Sequence, residues 1–71
     1  MKNIKFIRVT RDITQLKVQM DTGISQSTIS KYETGEALPT IENLLLLSDY
    51  YDVSLDYLMD KTNIAKKYPL D

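Results

Sequence analysis

Cysteine, histidine and tryptophan are absent from this 71-residue chain, which holds only two glycines, two prolines and one phenylalanine. Without cysteine no disulfide can staple the fold, and without cysteine and histidine the usual zinc sites are excluded. The same absences remove the commonest nucleophile and general base. Carboxylates, Lys, Tyr and Ser remain, but no nucleophile–base spacing stands out among them. A chain this short also has little room for a sequestered pocket. The sequence therefore predicts no enzyme, no metal and no other cofactor. The longest uninterrupted aliphatic run is Leu44–Leu47, whereas a membrane helix needs about 20 apolar residues. The opening stretch MKNIKFIRVTRD carries charges every few residues and lacks the apolar core of a signal peptide. These absences predict a cytoplasmic protein with no membrane partner.

At this size the surface buried on folding is barely sufficient, so packing and capping must supply the stability. Charge is nearly balanced, at -1 overall, but it is unevenly placed. Residues 1–35 set Lys2, Lys5, Arg8, Arg11, Lys17 and Lys31 against Asp12, Asp21 and Glu33, a net +3. Residues 36–71 set Lys61, Lys66 and Lys67 against seven acids, a net -4. A basic face and an acidic back would follow if each half gathers on one side.

No alternating strand pattern persists; apolar residues recur at three and four, which predicts an all-α domain. The first helix is expected over Asn3–Arg11, with Ile4, Ile7 and Arg11 on one face and Asp12 at its end. Thr14 reads as the N-cap of a second helix, Gln15–Thr22, and Gly23 supplies the positive φ that ends it. Ser25 reads as the cap of a third helix, which runs to Thr34 and stops at Gly35. Thr40 caps a fourth, Ile41–Tyr51, whose apolar stripe is expected from Ile41, Leu44, Leu45 and Leu47. Ser54 caps a fifth, Leu55–Met59. The helical pattern makes residues 1–60 one domain and leaves 61–71 as a short C-terminal tail, expected to be only partly ordered. Val18, Ile24, Ile29, Leu44, Leu47, Val53 and Leu58 are the predicted core, with Tyr32 packed against it.

The second and third helices are joined by a few residues around Gly23, the geometry of a helix-turn-helix. The third buries a narrow seam, mainly Ile29 and Tyr32, and turns Gln26, Ser27, Ser30 and Lys31 outward. Short hydrogen-bonding groups on an outward helix face suit the edges of bases in a major groove; bulky apolar groups do not.

The segment ITQLKVQMDTGISQSTISKYETGEALPTIENLLLLSDYYDVSLDYL (13–58) resembles the lambda-repressor-like (Cro/cI, Xre) helix-turn-helix DNA-binding domain. The most specific elements are TQ at 14–15, GISQSTISKYETG at 23–35, Pro39, and DVSLDYL at 52–58. The resemblance implies a compact five-helix bundle, with the second helix positioning and the third reading double-stranded DNA. It implies base contacts by Gln26, Ser27, Ser30 and Lys31, and phosphate contacts by Gln15, Thr14, Ser25, Thr28 and Thr34. It also implies a structural salt bridge between Arg8 and Glu33. Three positions depart from the family pattern: Gln19 stands where a small residue, typically Ala, is usual, Thr22 where a larger apolar one is common, and Glu36 in the loop GEALPT, which is often basic and contacts the DNA backbone.

Function is expected to be sequence-specific transcriptional regulation, most simply repression, by a homodimer on a pseudo-palindromic operator. Leu46, Tyr50 and Tyr57 form one candidate dimer face, and Phe6 with Val9 a rival patch. The alternative is a protein-interaction module of the antitoxin type, in which apolar patches engage a protein partner and DNA affinity is weak or absent. A regulatory protein partner is compatible with either.

Overall fold

The computed structural model describes residues 1–67. Its helices are α1 (Lys2–Thr10), α2 (Gln15–Thr22), α3 (Gln26–Thr34), α4 (Ile41–Tyr51) and α5 (Leu55–Leu58), with no strand among the described residues. Four of them start at a local side-chain cap: Thr14, Ser25, Thr40 and Ser54 each accept a first-turn backbone N–H. Each cap satisfies a donor that the helix itself cannot. Gly23 and Gly35 end α2 and α3 at φ 82° and 89°, conformations that a side chain resists.

The first helix differs. It starts one residue earlier than expected and ends at Thr10, with Arg11 as its C-cap; Asp12 follows at φ 58°. No local side chain caps it. The Asp60 carboxylate does so instead, accepting from Lys2 N–H at 3.0 Å and Asn3 N–H at 2.9 Å. Asp60 therefore closes the ends of the chain's helical order on each other, with negative charge at the positive end of α1. Asn3 is buried, donating from its side chain to the carbonyls of Tyr57 and Thr62. Arg11 is exposed rather than part of the apolar face, and one of its Nη atoms donates to the carbonyl of Tyr51.

All the predicted core residues are buried, joined by Ile4, Ile7, Tyr32, Tyr51 and Tyr57. The α4 stripe needs correction. Ile41 and Leu45 are exposed, while Leu44, Leu47, Ser48 and Tyr51 face inward. At 100° per residue, Leu45 lies about a quarter-turn away from Leu44, outside the arc that α2 and α5 cover. Ser48 enters the core because its hydroxyl donates to the Val53 carbonyl at 2.6 Å. Tyr51 enters with its ring edge-on to Tyr50, the centroids 5.1 Å apart.

The segment after α5 also carries contacts. Ser54 N–H donates to the Ala65 carbonyl at 2.9 Å, and the Lys67 ammonium pairs with Asp49. Pro69 and the rest of 68–71 lie outside the described residues.

Candidate nucleic-acid interface

The turn between α2 and α3 is built from short polar groups. Gly23 N–H returns to the Gln19 carbonyl at 2.8 Å. The Thr22 hydroxyl donates to the Val18 carbonyl at 2.7 Å and accepts from Ile24 N–H at 3.1 Å. A polar residue at 22 thus stitches the turn, while the Ile24 side chain is buried beneath it. Beyond the turn, α3 presses Ile29, Tyr32 and Glu33 into the domain. The Tyr32 hydroxyl accepts from the Asn43 side chain at 2.8 Å, which ties α3 to α4.

The opposite side of α3 is open. Gln26, Ser27 and Lys31 are exposed; Thr28 and Ser30 are half-buried. Lys31 joins no ion pair among the described residues, so its charge faces solvent uncompensated at contact range. A narrow helix side with one amide, small hydroxyls and one cation matches the donor and acceptor edges displayed in a major groove.

A chain of polar contacts fixes this helix. The Arg8 guanidinium forks onto Glu33, with Nε–Oε2 at 2.6 Å and Nη2–Oε1 at 2.9 Å. Glu33 is almost fully buried, its side chain 2% exposed. Bonding to Glu33 raises the Arg8 pKa further above its ordinary value, so the guanidinium stays charged. Glu33 Oε1 also accepts from the Gln15 amide at 3.1 Å, and Gln15 Oε1 in turn accepts from the Gln26 amide in a longer contact of 3.5 Å. Gln15 and Gln26 therefore stand side by side, one anchored to the interior and one reaching outward.

Hydroxyls expected at phosphates all have internal work. Thr14 accepts from Lys17 N–H; Ser25 accepts from Thr28 N–H and donates to the Thr28 hydroxyl. Thr34 donates to the Lys31 carbonyl and accepts from Glu36 N–H. By contrast, the backbone N–H groups of Gln15 and Leu16, at the start of α2, have no partner among the described residues. Such amides, with the helix dipole behind them, suit an anion.

Gln19 was not singled out as a site residue, yet its Oε1 accepts from Gln26 N–H at 2.7 Å. Its unusual size for this position was the available signal. The link joins the last turn of α2 to the first residue of α3.

The candidate dimer face does not hold together as one surface. Tyr57 is buried, because α5 packs against α1 and α4 and carries its ring into the core. Burial raises its phenol pKa. Tyr50 is half-buried, and its hydroxyl donates to Asp21 at 2.5 Å, tying α4 to α2. That bond, with a lesser one from Lys17, holds the Asp21 carboxyl below its ordinary range. Desolvation first, and Asp21 second, push the Tyr50 phenol up to about 12. Leu46 remains exposed, as do Phe6 and Val9 on α1. Among the described residues no helix is long and apolar enough to cross a membrane.

Comparison with known proteins agrees with this geometry. Residues 4–58 match the protein-family model described as Helix-turn-helix. The chain is 44% identical over 45 residues to the cryptic phage CTXphi transcriptional repressor RstR of Vibrio cholerae, covering 63% of this chain and 40% of that protein. It is 34% identical over 70 residues to the HTH-type transcriptional regulator ImmR of Bacillus subtilis, covering 99% of this chain and 55% of that protein. It is 38% identical over 53 residues to the antitoxin PezA of Streptococcus pneumoniae, covering 75% of this chain and 34% of that protein. The chain thus spans about half the length, or less, of these curated relatives. No solved structure gives a significant match.

Proposed function

This chain belongs to the lambda-repressor-like (Cro/cI, Xre) helix-turn-helix family, and on that premise we propose that it is a sequence-specific DNA-binding regulator of transcription, acting as a repressor in the cytoplasm. The observation that carries this reading is the exposed polar side of α3, held in register by the Arg8–Glu33–Gln15–Gln26 chain of contacts. Gln26, Ser27, Ser30 and Lys31 read base edges. The amide side chain of Gln26 has the donor and acceptor needed for adenine N6 and N7. The open amides of Gln15 and Leu16 hold a phosphate, and the hydroxyls of Thr14, Ser25, Thr28 and Thr34 reach others by exchanging their internal bonds.

The active species is a homodimer. Its two copies of α3 enter successive major grooves about 34 Å apart on a pseudo-palindromic operator. The monomer–dimer equilibrium makes occupancy depend on concentration, and a regulatory protein partner can act on the same equilibrium.

Selection of bound fragments from random DNA tests the reading. Recovery of a two-fold symmetric motif with half-sites one helical turn apart is the expected result. Absence of any enriched motif, with no affinity even at low salt, would reject it. The likeness to antitoxin PezA supports a second reading, a protein-binding module, and that result would favour it.

A further inference from the structure

We propose that Gln19 is a positioning residue for base readout, setting how the start of α3 meets DNA; the inference rests on the DNA-binding reading above. The N-terminal turn of α3 has three backbone donors without helical partners, those of Gln26, Ser27 and Thr28. Ser25 takes the N–H of Thr28, and Gln19 Oε1 takes that of Gln26 at 2.7 Å, shorter than the cap itself at 3.2 Å. Only the Ser27 N–H is left open among the described residues.

Two consequences follow from this one bond. First, the backbone of Gln26 is gripped from α2 while its side chain is steadied from α2 by Gln15. Gln15 and Gln19 are four residues apart, on the same face of α2. Both ends of Gln26 are thus referred to one rigid helix, and its amide approaches a base from a fixed origin. Second, the leading amide of α3 is withheld from phosphate. An anion is attracted to a helix start through its free N–H groups. With that amide occupied, α3 keeps only the Ser27 N–H open, and the paired open amides lie on α2, at Gln15 and Leu16. A small side chain at 19 could do neither.

The test compares Gln19→Ala and Gln19→Glu with the natural protein on the best selected site, on that site changed at the base pair that Gln26→Ala identifies, and on random DNA. Thermal unfolding confirms that each variant is folded. Gln26 should supply roughly tenfold discrimination at its base pair. Gln19→Ala should lower that ratio by at least about threefold while binding to random DNA holds or tightens, because an amide has been released to phosphate. General loosening of the domain would weaken binding to every sequence and would not produce this pattern. Gln19→Glu retains the acceptor, so it should keep the ratio while weakening all sites alike through its charge. Exchange of the Gln26 amide with solvent, read without DNA, should speed up about tenfold in Gln19→Ala and not in Gln19→Glu.

An unchanged ratio in Gln19→Ala, or an equal loss in both variants, overturns the inference and leaves the DNA-binding reading intact. A natural protein that shows no sequence preference at all overturns the DNA-binding reading itself, and the inference with it.

Discussion

Arg8 on α1 and Glu33 on α3 meet as a two-point fork, and the carboxylate oxygen that completes the fork also holds the Gln15 amide on α2. One buried carboxylate thereby ties α1 to α2 and α3, the two helices that form the interface. Glu33→Ala removes this centre and leaves a guanidinium that is only 13% exposed without its partner. The expected cost is about 3 kcal/mol, because an uncompensated buried charge is expensive. Replacing both residues together, Arg8→Met with Glu33→Leu, should cost much less. Urea unfolding of the single and double variants measures the difference, and equal losses would contradict it.

Asp60 reaches α1 from the far end of the helical order and caps two of its amides. Asp60→Ala should cost about 1–2 kcal/mol, comparable to losing a local N-cap. Asp60→Asn, which keeps an acceptor, should cost less. Exchange of the Lys2 and Asn3 amides should quicken in the alanine variant; unchanged exchange would show that the cap is not formed in solution.

A Cβ at Gly35 would meet nothing within 4 Å, so substitution there isolates the cost of a left-handed backbone at φ 89°. Gly35→Ala is expected to lose about 1–2 kcal/mol, and Gly35→Asn about half of that. Denaturant midpoints at constant slope provide the comparison. Equal stability of all three would mean that the α3 terminus relaxes to another turn.

Tyr50 and Asp21 make opposite contributions to the pH profile. Asp21 has a depressed folded-state pKa, set first by Tyr50, so its stabilising effect is present at neutral pH and fades as pH falls through that depressed value. The Tyr50 phenol is raised to about 12, so its contribution is complete below the ordinary phenol range and fades as pH rises toward 12. In Tyr50→Phe, NMR titration should find the Asp21 carboxyl moved up toward the ordinary range. A carboxyl that does not move would remove Tyr50 as the cause.

Gln26→Ala should relax preference at one base pair and cost about 1–3 kcal/mol on the best site. Gln15→Ala should weaken binding to every sequence, since its amide ties the start of α2 to Glu33, and should lower discrimination only at the base pair of Gln26, the side chain it steadies. Binding measured across single-base variants separates them. Uniform weakening by Gln26→Ala, or a new preferred sequence for Gln15→Ala, would reverse the assigned roles.

The starts of α2, α3 and α4 and the stops of α2 and α3 were legible from residue type alone. Thr14, Ser25 and Thr40 satisfy donors three residues on, and Gly23 and Gly35 meet a backbone requirement at their own positions. Such signals act over one helical turn, so neighbours in the chain suffice to encode them. The outward polar residues of α3 were legible for a related reason: Ile29 and Tyr32 mark the buried side, and the remainder follows from helical geometry. Which apolar residues of α4 face inward, the burial of Tyr57, the capping of α1 by Asp60, and the grip of Gln19 on Gln26 were settled only by packing. Each depends on what stands opposite in space, and a side chain's own identity is compatible with more than one such neighbour.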